Sequence, residues 1–245
     1  MKTQIIYEDN EILVCFKPAG LAVQSGRASE ADMVSELKNY LARSKADNSV
    51  LSVSKAGASV RCGLPMSKKP VYLGVIHRLD QPVSGLLVFA KTQRAAADLS
   101  RQVADHGVCK IYRAVVMASR ELENGPQKMS DYMVKEPGGG ARIASKGENG
   151  AKEGRLTWHC LEQKEGRALV EVALETGRHH QIRLQMSHAG MPLLGDNRYG
   201  NEESQALSRQ LGIRMVQLQA VKLEFIHPVT KKKVCYELDK KMELC

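Results

Sequence analysis

The 245-residue chain has no apolar run long enough to cross a bilayer, and its start, Met1-Lys2-Thr3-Gln4, lacks the pattern of a secretory signal. No membrane partner is expected, and the cytoplasm is the expected location. Its six cysteines, Cys15, Cys62, Cys109, Cys160, Cys235 and Cys245, form no Cys-x-x-Cys pair and mostly sit in apolar, strand-like runs. They read as buried free thiols in a reducing compartment. The seven histidines bring neither finger spacing nor a metalloprotease helix motif, so no metal is expected. There is no phosphate loop and no dinucleotide fingerprint, hence no nucleotide cofactor. Nor is there an internal repeat, or a Pro/Gly/Ser-rich linker that would cut the chain. A single domain over residues 1–245 is expected, and a monomer.

Positive charge is in excess. Lys and Arg number 36 against 27 Asp and Glu, a formal net charge of +9. This favours a polyanionic partner, nucleic acid first, although the cations are spread out apart from Lys231 to Lys233 and the pair Lys240, Lys241.

The hydrophobic pattern predicts strands at 11–17, 71–76, 86–91, 108–117, 132–134, 141–144, 155–162, 167–175, 216–226 and 233–238. Met33, Leu37, Tyr40 and Leu41 fall on one helical stripe, with Ser29 or Asp32 as its cap. Residues 45–70, rich in Ser, Gly and Lys, read as a mobile loop. Residues 93–106 read as a helix stopped by Gly107, and 179–189 as a short helix stopped by Gly190. Gly138-Gly139-Gly140 suits a hairpin tip. Many strands with few, irregularly placed helices predict an α+β fold with a mixed, largely antiparallel central sheet and flanking helices.

Asp80 is the residue to explain. It follows His77-Arg78-Leu79 and precedes the turn formers Pro82, Ser84 and Gly85 and the apolar stretch from Leu86 to Ala90. A carboxylate so placed is held at a sheet edge by stiff backbone, a position that catalytic groups commonly occupy. By itself the run would be better read as an aspartate bonding its own turn backbone, the commoner role before Pro or Gly.

Other segments complete a pattern. They are Lys17-Pro18-Ala19-Gly20-Leu21, the strand with Lys110 and Tyr112, the run from Gly177 to Gly200 containing Gln181-Ile182-Arg183, and Leu223-Glu224-Phe225-Ile226-His227-Pro228. Taken in order over nearly the whole chain, they resemble the RluA-type pseudouridine synthases. No feature of the leading small RNA-binding module of the S4 type is evident. The resemblance implies the pseudouridine synthase fold with an active cleft across its sheet, structured RNA (ribosomal or transfer) as partner, and isomerisation of uridine to pseudouridine. It implies Asp80 as the essential catalytic residue, with Tyr112 and Arg183 beside it. The chain departs from the pattern at Gln81-Pro82-Val83, where a Lys-Asp-Thr run is usual, and at His179, where Thr is usual.

That reaction breaks the N-glycosidic bond, rotates the uracil, joins C5 to the sugar and releases the C5 proton. A carboxylate with an ordinary pKa of about 3.9 is available to attack C1′ or C6 or to take a sugar proton. Arg183 reaching Asp80, as in the family, would orient it by a charge-assisted pair. Tyr112 offers a stacking face more readily than a base, because a phenol titrates near about 10. The target nucleotide must be flipped out of its helix or loop. His77, Arg78, Lys110, Arg178 and His180 are the candidate RNA contacts. The runner-up is a catalytically idle RNA-binding or folding factor. A glycosidase would need a second positioned carboxylate, and no second acid stands in comparable surroundings in the sequence.

Overall fold

The computed structural model describes residues 1–26, 30–53 and 70–244, with only the backbone described for 45–53. In chain order the elements are β1 (Gln4–Glu8), β2 (Ile12–Lys17), α1 (Met33–Val53), β3 (Gly74–Val75), β4 (Ser84–Ala90), α2 (Gln93–Ala104), β5 (Cys109–Met117), β6 (Gln127–Lys135), β7 (Ala141–Ala144), β8 (Lys152–Lys164), β9 (Arg167–Leu174), α3 (Gln181–His188), α4 (Glu202–Gln210), β10 (Leu218–Ile226) and β11 (Lys233–Glu237). All the strands form one sheet, ordered β1-β2-β4-β10-β5-β9-β8-β6-β7, with β11 on β10 and β3 on β4. Among the described residues only β4 and β10 pair in parallel, so the expected α+β, largely antiparallel sheet is observed.

The middle strands are apolar on both faces because both faces are covered. Alternation sends Leu13, Leu87, Phe89, Tyr112 and Val170 into one core with Met33 and Leu37 of α1 and Ile182 and Met186 of α3. The opposite faces of β2 and β4 send Ile12, Val14, Leu86 and Val88 against Ala95 and Leu99 of α2. Val115, Met117 and Leu169 pack with Leu207 and Leu211 from the region of α4. Continuous runs such as Ile12-Leu13-Val14-Cys15 are the sequence mark of such doubly covered strands.

Several expectations are corrected. Helix α1 continues to Val53, into the segment read as loop, while residues 54–69 and the candidate cap Ser29 lie outside the described residues. Asp32 does cap, its Oδ1 accepting from Ser35 N at 2.7 Å. The strand expected over 71–76 shrinks to the two residues of β3. Cys15 is buried and Cys160 half-buried, but Cys109, the first residue of the inner strand β5, and Cys235 on β11 are exposed; Cys62 and Cys245 lie outside the described residues. Helix α4 and strand β1 are additional. The left-handed residue ending α2 is His106 (φ 57°), one place before the expected Gly107.

Gly85 is dictated by contact. Gly85 pairs with Ala220 at the parallel β4–β10 junction, and a Cβ there would lie 2.3 Å from the Ala220 carbonyl oxygen. Ala220 in turn pairs with Tyr112, so Gly85, Ala220 and Tyr112 form one row across three strands. That row sets the Asp80 turn, which ends where β4 begins, on the same side of the molecule as Tyr112. Among the described residues no helix is long and apolar enough to cross a membrane.

Candidate active site

The loop from β3 to β4 is held tightly along its backbone. Asp80 O accepts from Val83 N at 3.0 Å and closes a turn. Gln81 O accepts from Gly20 N at 2.8 Å and from Lys17 Nζ at 2.9 Å, and the Gln81 side chain returns a bond to Gly20 O at 3.1 Å. The early Lys-Pro-Ala-Gly segment thus clamps the residue after Asp80, and Gln81, a departure from the usual pattern, takes part in the clamp. Val83, another departure, is buried in the core. Lys17 is fully buried and donates as well to Leu21 O (2.7 Å) and Pro18 O (3.1 Å). Burial pushes its ammonium down to about 8, with the Asp80 charge pulling the other way.

Arg183, on the first turn of α3, stands between two carboxylates. Its Nε and Nη2 donate to Asp196 Oδ2 and Oδ1 at 2.7 and 2.8 Å, a bidentate fork, and Nη1 donates to Asp80 Oδ2 at 3.3 Å. Burial alone would lower the guanidinium; the bonds and charges of Asp196 and then Asp80 outweigh it and hold Arg183 above its ordinary value. Asp196 is held below its ordinary value by the same fork and by the N–H groups of Arg198 and Tyr199, against the opposing effect of burial.

All eight side chains singled out from the sequence line one cavity of about 560 Å3. Asp80 and Arg183 meet there, and Tyr112 of β5 lines the same cavity. Burial, and secondarily the Asp80 charge, pushes the Tyr112 phenol well above its usual value, which favours a neutral stacking face over a base. His77 is half-buried, its Nε2 accepting from Val88 N at 3.4 Å, and burial pushes it down to about 3. Lys110 is lowered by burial. Arg178 Nε donates to Glu153 O at 2.8 Å, and Arg78 is exposed. His180 is the exception: its Nε2 lies 3.6 Å from Asp80 Oδ2 and its Nδ1 is 2.7 Å from the Tyr199 hydroxyl.

Sequence reasoning missed Asp196, Tyr199 and Gln181. Gln181, only 3% exposed, accepts from Thr176 Oγ1 and Arg178 N and donates to Arg155 O, fixing the loop before α3. A polar residue at the start of a buried helix was the available signal.

Asp80, His179 and His180 bring one potential metal-ligand atom each within 4.8 Å. The two imidazoles are stacked, centroids 3.8 Å apart and 23° from parallel. Arg183 already shares Asp80 with them.

A family model described as RNA pseudouridylate synthase matches residues 11–188. The ribosomal large subunit pseudouridine synthase D of Zymomonas mobilis subsp. mobilis is 30% identical over 239 residues, covering 96% of this chain and 68% of that protein. The ribosomal large subunit pseudouridine synthase C of Vibrio cholerae is 28% identical, over 94% of this chain and 63% of that protein. This chain thus spans only about two thirds of the length of these relatives. The solved structure titled human RNA pseudouridylate synthase domain containing 1 aligns with a TM-score of 0.69 at 20% identity, over 97% of this chain and 83% of that one, so the fold is shared. The matched segment carries Asp80, Tyr112 and Arg183 together, and the fold brings them to one cavity. The chain belongs to the RNA pseudouridylate synthase family.

Proposed function

We propose that this chain isomerises uridine to pseudouridine in structured RNA, with the target base flipped into the cavity beside Asp80. The observation that carries this reading is the meeting of Asp80 with Arg183 at 3.3 Å in a cavity that Tyr112 also lines. The cavity falls within the size range of sites for small organic groups, about 300–1,000 Å3, and so has room for one extruded nucleotide. The Asp80 carboxylate acts at the sugar or base to free the uracil from C1′. The uracil turns against the Tyr112 ring, and C5 then joins the sugar. Arg183 keeps the carboxylate aimed throughout. The sum is redox-neutral and needs no second substrate.

Arg78, Lys110 and Arg178 supply positive charge at the mouth for the RNA backbone, and His77 and His180 line the same wall. Binding should therefore weaken as salt rises. The chain acts as a single catalytic domain, as a monomer in the cytoplasm. Ribosomal RNA is the first substrate to try, because the relatives are named for the large ribosomal subunit; transfer RNA is the second.

The test is tritium release from RNA labelled at uridine C5, with wild type and Asp80→Asn in parallel. Release by wild type alone supports the reading. No release from unmodified ribosomal or transfer RNA, with salt-sensitive binding retained, would replace it by an idle RNA-binding factor.

A further inference from the structure

His180 is the residue whose local structure is not explained by folding. It sits at the N-cap of α3 in a left-handed conformation (φ 55°, ψ 26°) that residues with a side chain rarely adopt, and its side chain caps nothing. The cap position normally rewards a side chain that turns back to the helix N–H groups. Here the ring is instead directed at Asp80. It is held on three sides: Nδ1 lies 2.7 Å from the Tyr199 hydroxyl, the face stacks on His179 at 3.8 Å, and Tyr199 meets it edge-on at 5.5 Å between centroids.

The hydrogen-bond pattern favours one tautomer. The Tyr199 oxygen accepts from Ala141 N at 2.9 Å, and its own proton is available to His180 Nδ1. The opposite nitrogen, Nε2, then carries the ring proton and faces Asp80 Oδ2 at 3.6 Å, where a bare lone pair would face an anion. Burial, above all, pushes the imidazole down to about 4, so the donor is neutral. Arg183 Nη1 addresses the same oxygen, Oδ2. Among the described residues no donor addresses Oδ1.

We propose that His180 is a positioning residue for Asp80. Tyr199 sets its tautomer, and its Nε2–H joins Arg183 in holding Oδ2, so that Oδ1 is the oxygen presented to the nucleotide. This rests on the isomerase reading above and revises the RNA-contact role expected for His180 from sequence. The side chain is only 10% exposed, too little to meet a phosphate without moving. The 3.6 Å separation exceeds a hydrogen bond and should close when substrate fills the cavity, as catalytic contacts in empty sites commonly do.

The experiment compares His180→Phe, His180→Gln and Tyr199→Phe with wild type by single-turnover tritium release and by RNA filter binding. His180→Phe keeps the ring and loses the donor, so its turnover should fall by about 10-fold to 100-fold with RNA Kd unchanged. His180→Gln restores an N–H near the same place and should recover most of that loss, and Tyr199→Phe should fall between. A raised Kd or KM with kcat intact in His180→Phe, or a Gln variant as slow as the Phe variant, would overturn the proposal in favour of an RNA contact or a packing role. The ring 15N shifts of His180 decide the matter apart from activity, should wild type prove inactive or His180→Phe fail to fold. The Nε2–H tautomer, perturbed by Asp80→Asn, is expected; an Nδ1–H tautomer, or a ring indifferent to Asp80→Asn, refutes it.

Discussion

Two aspartates share Arg183 and are treated in opposite ways. Asp196 has a side chain 1% exposed and accepts from Arg183 Nε and Nη2 and from the backbone N–H groups of Arg198 and Tyr199. Four donors hold it, three on Oδ1 and one on Oδ2. Asp80 is 24% exposed, receives one bond of 3.3 Å and one longer approach from His180, and leaves Oδ1 open. A saturated carboxylate is inert and holds structure together, whereas an under-satisfied one on a stiff loop is free to react. This also counts against the glycosidase alternative: a second acid shares Arg183 with Asp80, but four donors hold it.

Exchanging the demands on the two carboxylates tests this contrast, and the largest effect belongs to Asp80. Asp80→Asn should lower turnover by at least about 1,000-fold while leaving stability within about 1 kcal/mol, since few protein donors depend on that carboxylate. Turnover and urea midpoint measured on one preparation decide it; a large loss of stability would show that Asp80 is structural like its neighbour. Asp196→Ala should do the reverse. It leaves Arg183 buried beside a single weak partner, at a cost of about 3–5 kcal/mol in urea unfolding, and it releases the guanidinium from its aim at Asp80. An Asp196→Ala protein as stable as wild type would mean that Asp80 alone can satisfy Arg183, and the distinction between the two aspartates would collapse.

The same contrast explains what the sequence could disclose. Asp80 was legible because its flanking turn and strand are local, and β4, α2 and the β8–β9 hairpin follow periodicities of 2 and 3.6 within a few residues. Asp196 was not legible: the role of each aspartate depends on Arg183, and the Asp80 pair spans 103 positions. Helix α4 was missed because it buries Ser204 and Ser208 where a periodic helix would bury aliphatics. Ser208 Oγ instead accepts from Gly195 N at 2.9 Å, supporting the turn that carries Asp196. Asn201 capping ahead of Glu202 and Glu203 was the signal left unread. Cys109 and Cys235 misled because alternation assigns faces but not where along a strand the cover over that face ends.

If the Asp80 side chain is under-satisfied, its backbone must be over-held, and Lys17 tests that half of the contrast. Lys17→Met leaves the Pro18, Leu21 and Gln81 carbonyls without their shared donor, a loss of about 1–3 kcal/mol. Its pH dependence has a definite sign. The folded value is about 8 against an ordinary 10.5, so between these pH values the unfolded chain binds more protons at this site, and stability from Lys17 rises with pH. The cost of the buried charge is fully present below about 8. The gap between wild type and Lys17→Met in urea unfolding should therefore widen from pH 8 towards 10.5. A constant gap would mean that water reaches the ammonium.

The smallest expected effect is at His77, which braces the other side of the same loop. Its Nε2 accepts from Val88 N, a role glutamine can supply through Oε1 without titrating. Burial, and then the Lys110 charge, takes the folded value to about 3 from an ordinary 6.5. Between those values the unfolded chain takes up the proton and the folded one does not, so stability from this site is lost as pH falls below 6.5. His180, at about 4, contributes loss of the same sign. His77→Gln should match wild type near neutrality and lose less on mild acidification, by no more than about 4 °C in Tm at pH 6. Parallel acid slopes for the two proteins would mean that His77 becomes protonated in the folded state. The brace would then be a cation facing the cavity, and His77 would return to the phosphate-contacting role that its place beside Arg78 suggests.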